Sequence, residues 1–82
     1  MTVYPDPWVV QVETGEGVYA YHQVTGRLVK LSPAGALLLR CLDAPDPAAA
    51  FAASLGVGMQ EARRQFAALA EKLAARGLCE RV

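Results

Sequence analysis

Six residues of this 82-residue chain could do chemistry: Cys41, Cys79, His22, Asp43, Glu13 and Glu16. A cysteine hydrolase needs a thiolate, an imidazole to accept its proton, and an Asp or Asn to orient the imidazole. The inventory supplies one of each, but the placement argues against the reaction. Cys41 falls on the apolar side of a predicted helix, where a small buried hydrophobe is the ordinary role, and Cys79 lies near the end of the sequence. Glu13 and Glu16 flank a predicted solvated turn, with nothing to hold or desolvate either as a general acid. His22 adjoins a predicted hairpin turn and reads as a surface or edge residue. No catalytic residue is assigned.

A metal site needs three or four ligands at short spacings, and one histidine with two distant cysteines supplies neither. The glycines at 15, 17, 26, 35, 56, 58 and 77 fall singly at turns and helix ends, so neither phosphate-cradling glycine motif is present. No metal and no cofactor are expected.

The elements that must position these residues are legible from patterning. Residues 1–7 hold two prolines and read as an extended N-terminal arm ahead of a single domain over 8–82. Residues 8–12 (WVVQV) and 18–22 (VYAYH) are β-rich strands separated by Thr14-Gly15-Glu16-Gly17, and residues 27–31 (RLVKL) form a third strand after the Thr25-Gly26 turn. Three strands are about the minimum for a stable sheet, provided something covers one face. Ser32-Pro33 is a helix start, with the serine accepting bonds from orphan N–H groups and the proline pre-set for the first helical position. That helix runs to about Leu42. Asp46-Pro47 repeats the signature and opens a short alanine-rich helix ending at Gly56, and Gly58 precedes a longer helix over 59–76 closed by Gly77. Residues 78–82 either return as a short strand or pack.

In the long helix, Met59, Ala62, Phe66, Leu69, Ala70 and Leu73 share one face, opposite Glu61, Arg64, Gln65, Lys72 and Arg76. Between them Gln60, Arg63, Ala67 and Ala74 form a flank of mostly small side chains, where a backbone could approach closely. The expected architecture is α+β and winged helix-turn-helix-like: a three-stranded antiparallel sheet followed by three helices.

Formal net charge is zero, from eight basic and eight acidic residues, which leaves no overall positive field for a phosphate backbone. The distribution is uneven, because all eight cations follow Gly26. Without a CxxC pair or a basic-then-apolar leading segment, a reducing cytoplasm is the expected home, and no apolar run approaches the roughly 20 residues that cross a bilayer. Strands followed by three helices also suit a winged-helix DNA binder. Glu61 and Glu71 on the outward face of the long helix, and a hydrophobic rather than basic wing, argue against it, so neither nucleic acid nor membrane is an expected partner.

The run VYAYHQVTGRLVKLSPAGALLLRCLDAPDP resembles the PqqD-like family, whose members carry a hairpin, a TGR-x-V-x-L-N/S-P-x-G/A passage and an apolar helix ending in Leu-Leu-Asp-Gly. The matching residues are Thr25, Gly26, Arg27, Val29, Leu31, Ser32, Pro33, Gly35, Leu38, Leu42 and Asp43, and Arg76-Gly77-Leu78 is similar to the end of the family's third helix. Ala44-Pro45 and Gly58 depart from the pattern. The resemblance implies a recognition element for ribosomally made, modified peptides, a non-catalytic domain that captures the leader segment of a precursor. In that family the leader adds as a strand beside the third strand, in a cleft toward the third helix. Carried onto this sequence, the docking strand is Arg27, Leu28, Val29, Lys30 and Leu31, and the facing wall is Arg63, Phe66, Ala67 and Ala70. Arg27, Lys30 and Arg63 would meet leader carboxylates. A free-standing domain of this size is similar to the leader-binding proteins of lasso peptide pathways, which deliver the precursor to a separate cysteine protease of transglutaminase-like fold. The alternative within the family is a stand-alone peptide chaperone for a radical SAM enzyme.

Overall fold

A computed structural model describes residues 3–81. The order of elements is β1 (Val3–Pro5), β2 (Val9–Thr14), β3 (Gly17–His22), β4 (Leu28–Leu31), α1 (Pro33–Cys41), α2 (Pro47–Leu55), α3 (Met59–Ala75) and β5 (Cys79–Arg81). The protein is α+β: strands β2, β3 and β4 form an antiparallel sheet with β3 central, and three helices follow.

Local chemistry sets the boundaries. Gly26 closes the β3–β4 turn at φ +74°, a left-handed conformation that costs a Cβ-bearing residue, and its N–H donates to the His22 carbonyl at 2.8 Å. The Ser32 side chain accepts from the Gly35 N–H at 3.1 Å to start α1, and Asp46 does the same for Ala49 at 3.2 Å to start α2, each with proline in the first turn. Gly58 gives α3 no side-chain cap. At the far end of α3, Gly77 (φ +74°) donates to the Ala74 carbonyl at 3.0 Å and Leu78 to the Leu73 carbonyl at 3.0 Å. This paired closure, with Leu73 and Leu78 both buried, turns the chain back toward β5.

The segment expected as an extended arm contributes a second, two-stranded sheet. Val3 pairs with Arg81, Tyr4 with Glu80 and Pro5 with Cys79, and Val3 is buried in the core. The last described residues therefore return as a strand. One apolar core joins Ala20 and Leu31 of the large sheet to Leu38 of α1, Phe51 of α2, and Ala62, Phe66 and Ala70 of α3. Phe51 and Phe66 meet edge to face, with ring centroids 5.8 Å apart. Gln11 ties the sheet to α1 by donating its Nε2 to the Ala36 carbonyl at 2.8 Å.

Candidate functional site

Strand β4 has a neighbour on one side only, and the hydrogen-bond pattern says which of its backbone groups are spare. In an antiparallel ladder each residue turns both its N–H and C=O to the same side, and sides alternate along the strand. The His22 N–H donates to the Arg27 carbonyl at 2.9 Å, while the Gln23 N–H donates to the Trp8 carbonyl at 2.8 Å. Val18, Ala20 and His22 therefore turn their backbone groups to β4, and Gly17, Tyr19 and Tyr21 turn theirs to β2. With Ala20 opposite Val29 and Val18 opposite Leu31, those two β4 residues are bonded within the sheet. Leu28 and Lys30 present their N–H and C=O to the open edge.

A groove of about 240 Å³ runs along that edge between β4 and the C-terminal half of α3. Val29, Leu31 and Gly35 form one side, and Leu69, Lys72, Leu73 and Arg76 the other. Leu69 with Leu73, and Lys72 with Arg76, are spaced four apart, so α3 offers an apolar row and a cationic row in parallel. Lys30, Lys72 and Arg76 are the charged residues of this lining, and no carboxylate is among them. Arg27 spans the gap at one end, donating Nη1 to the Arg76 carbonyl at 3.1 Å. A chain with zero net charge thus has a locally cationic cleft beside two unpaired strand residues.

The other sheet edge, along β2, is partly engaged. A larger hollow, about 500 Å³, lies between β2 and α1, but the outward N–H of Val9 there already donates to the Asp6 carbonyl at 3.1 Å. Its lining mixes Asp6 and Asp43 with Arg40, which gives no single sign of charge. The smaller groove is the better strand acceptor for these reasons.

The structure divides the residues expected from sequence. Leu28, Val29, Lys30 and Leu31 form β4, with Leu28 exposed, Val29 half-buried against the core and Leu31 buried; Arg27 precedes the strand and is exposed. On α3, Phe66 and Ala70 point into the core, while Arg63 and Ala67 are exposed and do not line the groove. The helical wall beside β4 runs from Leu69 to Arg76, further along α3 than Arg63, Phe66 and Ala67. The signal for it was present in the i, i+4 pairs Leu69–Leu73 and Lys72–Arg76, but which part of α3 stands opposite β4 is a matter of tertiary packing.

The chemistry-bearing residues are engaged elsewhere. His22 bonds to Asp6, through Nε2 at 3.1 Å, rather than to Asp43. Cys41 and Cys79 are buried free thiols, and burial pushes both thiols above the ordinary cysteine range, the wrong direction for a nucleophile. Among the described residues no cluster of three or more His, Cys, Asp or Glu could hold a metal ion, and no helix is long and apolar enough to cross a membrane.

No family model and no curated protein matches the sequence. Among solved structures, the chain is similar to lasso peptide synthetase B1 complexed with the leader peptide, at a TM-score of 0.72 and 26% identity, covering 99% of this chain and 100% of that one. This chain resembles a PqqD-like leader-recognition element over its whole length. The likeness covers nearly every residue of the chain and so extends well beyond the short TGRLVKLSPAG passage in which the sequence first carried it.

Proposed function

We propose that this chain is a non-catalytic, cytoplasmic adaptor of lasso peptide biosynthesis, with a winged helix-turn-helix-like domain that captures the leader segment of a ribosomally made precursor. The leader adds as a strand on the open edge of β4, lies in the cleft against α3, and is presented to a separate transglutaminase-like cysteine protease. The observation that carries this reading is the spare backbone of Leu28 and Lys30, facing a groove walled by Leu69 and Leu73. An extended peptide there gains main-chain hydrogen bonds from β4, while alternate side chains enter the apolar cleft. Carboxylates on the peptide meet Lys72 and Arg76 at the rim.

The full-length resemblance to a B1 protein held with a leader peptide supports the class of ligand. The strand is also held at both ends before any peptide arrives, by the Gly26 turn and by the Ser32 cap, which lowers the ordering cost of binding. Calorimetry with the leader of any precursor encoded beside this gene tests the reading. Saturable binding is expected, and its absence for every such leader overturns the proposal.

A further inference from the structure

Arg27 is fixed at its base by the sheet and at its tip by a helix. Its carbonyl accepts from the His22 N–H at 2.9 Å and its own N–H donates to the Thr25 hydroxyl at 3.3 Å, so its backbone is held to β3 and to the turn. Side chains alternate in direction along a strand. Ala20 is fully buried and pairs with Val29, which places Val29, Leu31 and, two residues before Val29, Arg27 on the helix side of the sheet. From there the guanidinium reaches the end of α3, where Nη1 donates to the Arg76 carbonyl at 3.1 Å. Arg76 follows the last residue of α3, and its carbonyl is one of the acceptors that a helix end leaves without an internal partner. A cation placed there also complements the helix dipole.

The position of this bond matters more than its strength. Among the described residues it is the one hydrogen bond that joins residues 27–32 to α3 or its cap. The groove lies between Val29 and Leu31 on the sheet side and Leu69 and Leu73 on the helix side, and Arg76 is the last residue of the helical wall. The contact therefore crosses from one wall to the other at one end of the groove. Arg27 is exposed, and a single exposed polar contact contributes modestly to global stability. It can still decide what fraction of molecules holds the cleft at the width a peptide needs, and apparent affinity scales with that fraction.

We infer that Arg27 is a positioning residue of the peptide cleft. By holding the C-terminal end of α3 against the start of β4, it sets the width of the groove that receives the apolar side chains of the bound peptide. It acts through α3 rather than by pairing with a peptide carboxylate. The inference rests on the leader-binding reading.

The test compares the full-length parent with Arg27→Ala and Arg27→Lys, unloaded and with leader. In the unloaded Arg27→Ala protein, hydrogen exchange at the Gly77 and Leu78 amides, which close α3, should rise by about threefold or more. Exchange at the fully buried Ala20 and Leu38 should stay within about twofold, which a general loss of stability would not allow. Leader affinity should fall by about fivefold in Arg27→Ala, and Arg27→Lys, which keeps a cationic donor, should recover part of it. Two comparisons separate positioning from direct contact. The loss should persist as salt is raised, whereas pairing with a carboxylate would fade. It should also be unchanged for a leader whose Asp and Glu are replaced by Asn and Gln, and should shrink to within about twofold once a cleft-filling apolar side chain, found by alanine scanning of the leader, is truncated. Unchanged exchange at Gly77 and Leu78 overturns the inference. So does a loss of affinity that vanishes with the acid-free leader, which would make Arg27 a direct ligand. If Arg27→Ala does not fold, Arg27→Gln takes its place, with about a threefold loss expected. Failure of the parent chain to bind any leader instead removes the reading beneath the inference, a result distinguishable because it appears before any substitution is made.

Discussion

His22 and Asp6 are joined by a 3.1 Å contact between Nε2 and Oδ2, and the same imidazole accepts at Nδ1 from the Val24 and Thr25 N–H groups at 3.3 and 3.2 Å. Two donors at Nδ1 leave that nitrogen bare, so Nε2 carries the proton and donates it to Asp6. The other oxygen of Asp6 accepts from the Trp8 N–H at 2.9 Å. One half-buried imidazole thus ties the turn that launches β4 to the segment between β1 and β2.

Removing the ring should loosen the turn. His22→Ala leaves the Val24 and Thr25 N–H groups to water and frees Asp6, and should cost about 1–2 kcal/mol of stability, read as a lowered Tm. Leader affinity should fall by a few-fold, because the entry to β4 is less well ordered. His22→Asn, with a carbonyl oxygen to accept from the turn, should recover part of both. An alanine variant as stable as the parent would mean that the turn is held by Gly26 alone.

The alternation of backbone direction along β4 separates two proline substitutions one residue apart. Lys30→Pro deletes an N–H that faces the open edge, and proline is tolerated on edge strands in that orientation. The protein should stay folded, while leader affinity falls by about tenfold, beyond the effect of a Lys30→Ala control that removes the charge alone. Val29→Pro deletes an N–H bonded within the sheet and should lower Tm sharply. Circular dichroism and calorimetry on the three variants check the assignment, and the reverse order of effects would mean the strand's register is shifted by one.

The sequence carried most of the fold because its punctuation is strong: Thr25-Gly26, Ser32-Pro33 and Asp46-Pro47 each fix a turn or helix start by local chemistry. The β1–β5 pairing was less legible, since it joins residues from opposite ends of the chain and the short strands VYP and CER carry no turn signal linking them. Half of the candidate site, β4, was likewise local. The helical wall was not, because periodicity tells which residues of α3 share a face but not how far along its axis the sheet sits. Phe66 and Ala70 are on the correct face of α3 and deeper than the groove, packed with Phe51 and its neighbours.

The position of that wall is testable by charge. Lys72→Glu and Arg76→Glu place a carboxylate where an acidic leader would lie, and each should weaken binding by about fivefold at low salt, with the difference shrinking as salt is raised. Arg63→Glu, on the same helix but outside the groove, should change affinity by less than about twofold. A larger loss at Arg63 than at Lys72 would move the bound peptide toward the N-terminal half of α3.

The two thiols offer a readout of integrity that is independent of any ligand. Burial pushes Cys79 above the ordinary thiol range, and burial outweighs the nearby Arg40 charge to do the same for Cys41. A folded-state value raised above the unfolded one means that the folded chain holds its thiol protons more tightly. The associated stability is therefore complete at pH below the unfolded thiol's range, about 8.5, and is lost as pH rises through the folded values. Stability measured by urea unfolding should decline above about pH 8.5, and a Cys41→Ala, Cys79→Ala double variant should lack this component of the decline. Iodoacetamide at pH 8 should label both cysteines slowly in the native protein and rapidly in urea. Fast labelling of Cys79 in the native state would show that β5 separates from β1 and α3 far more readily than its buried position implies.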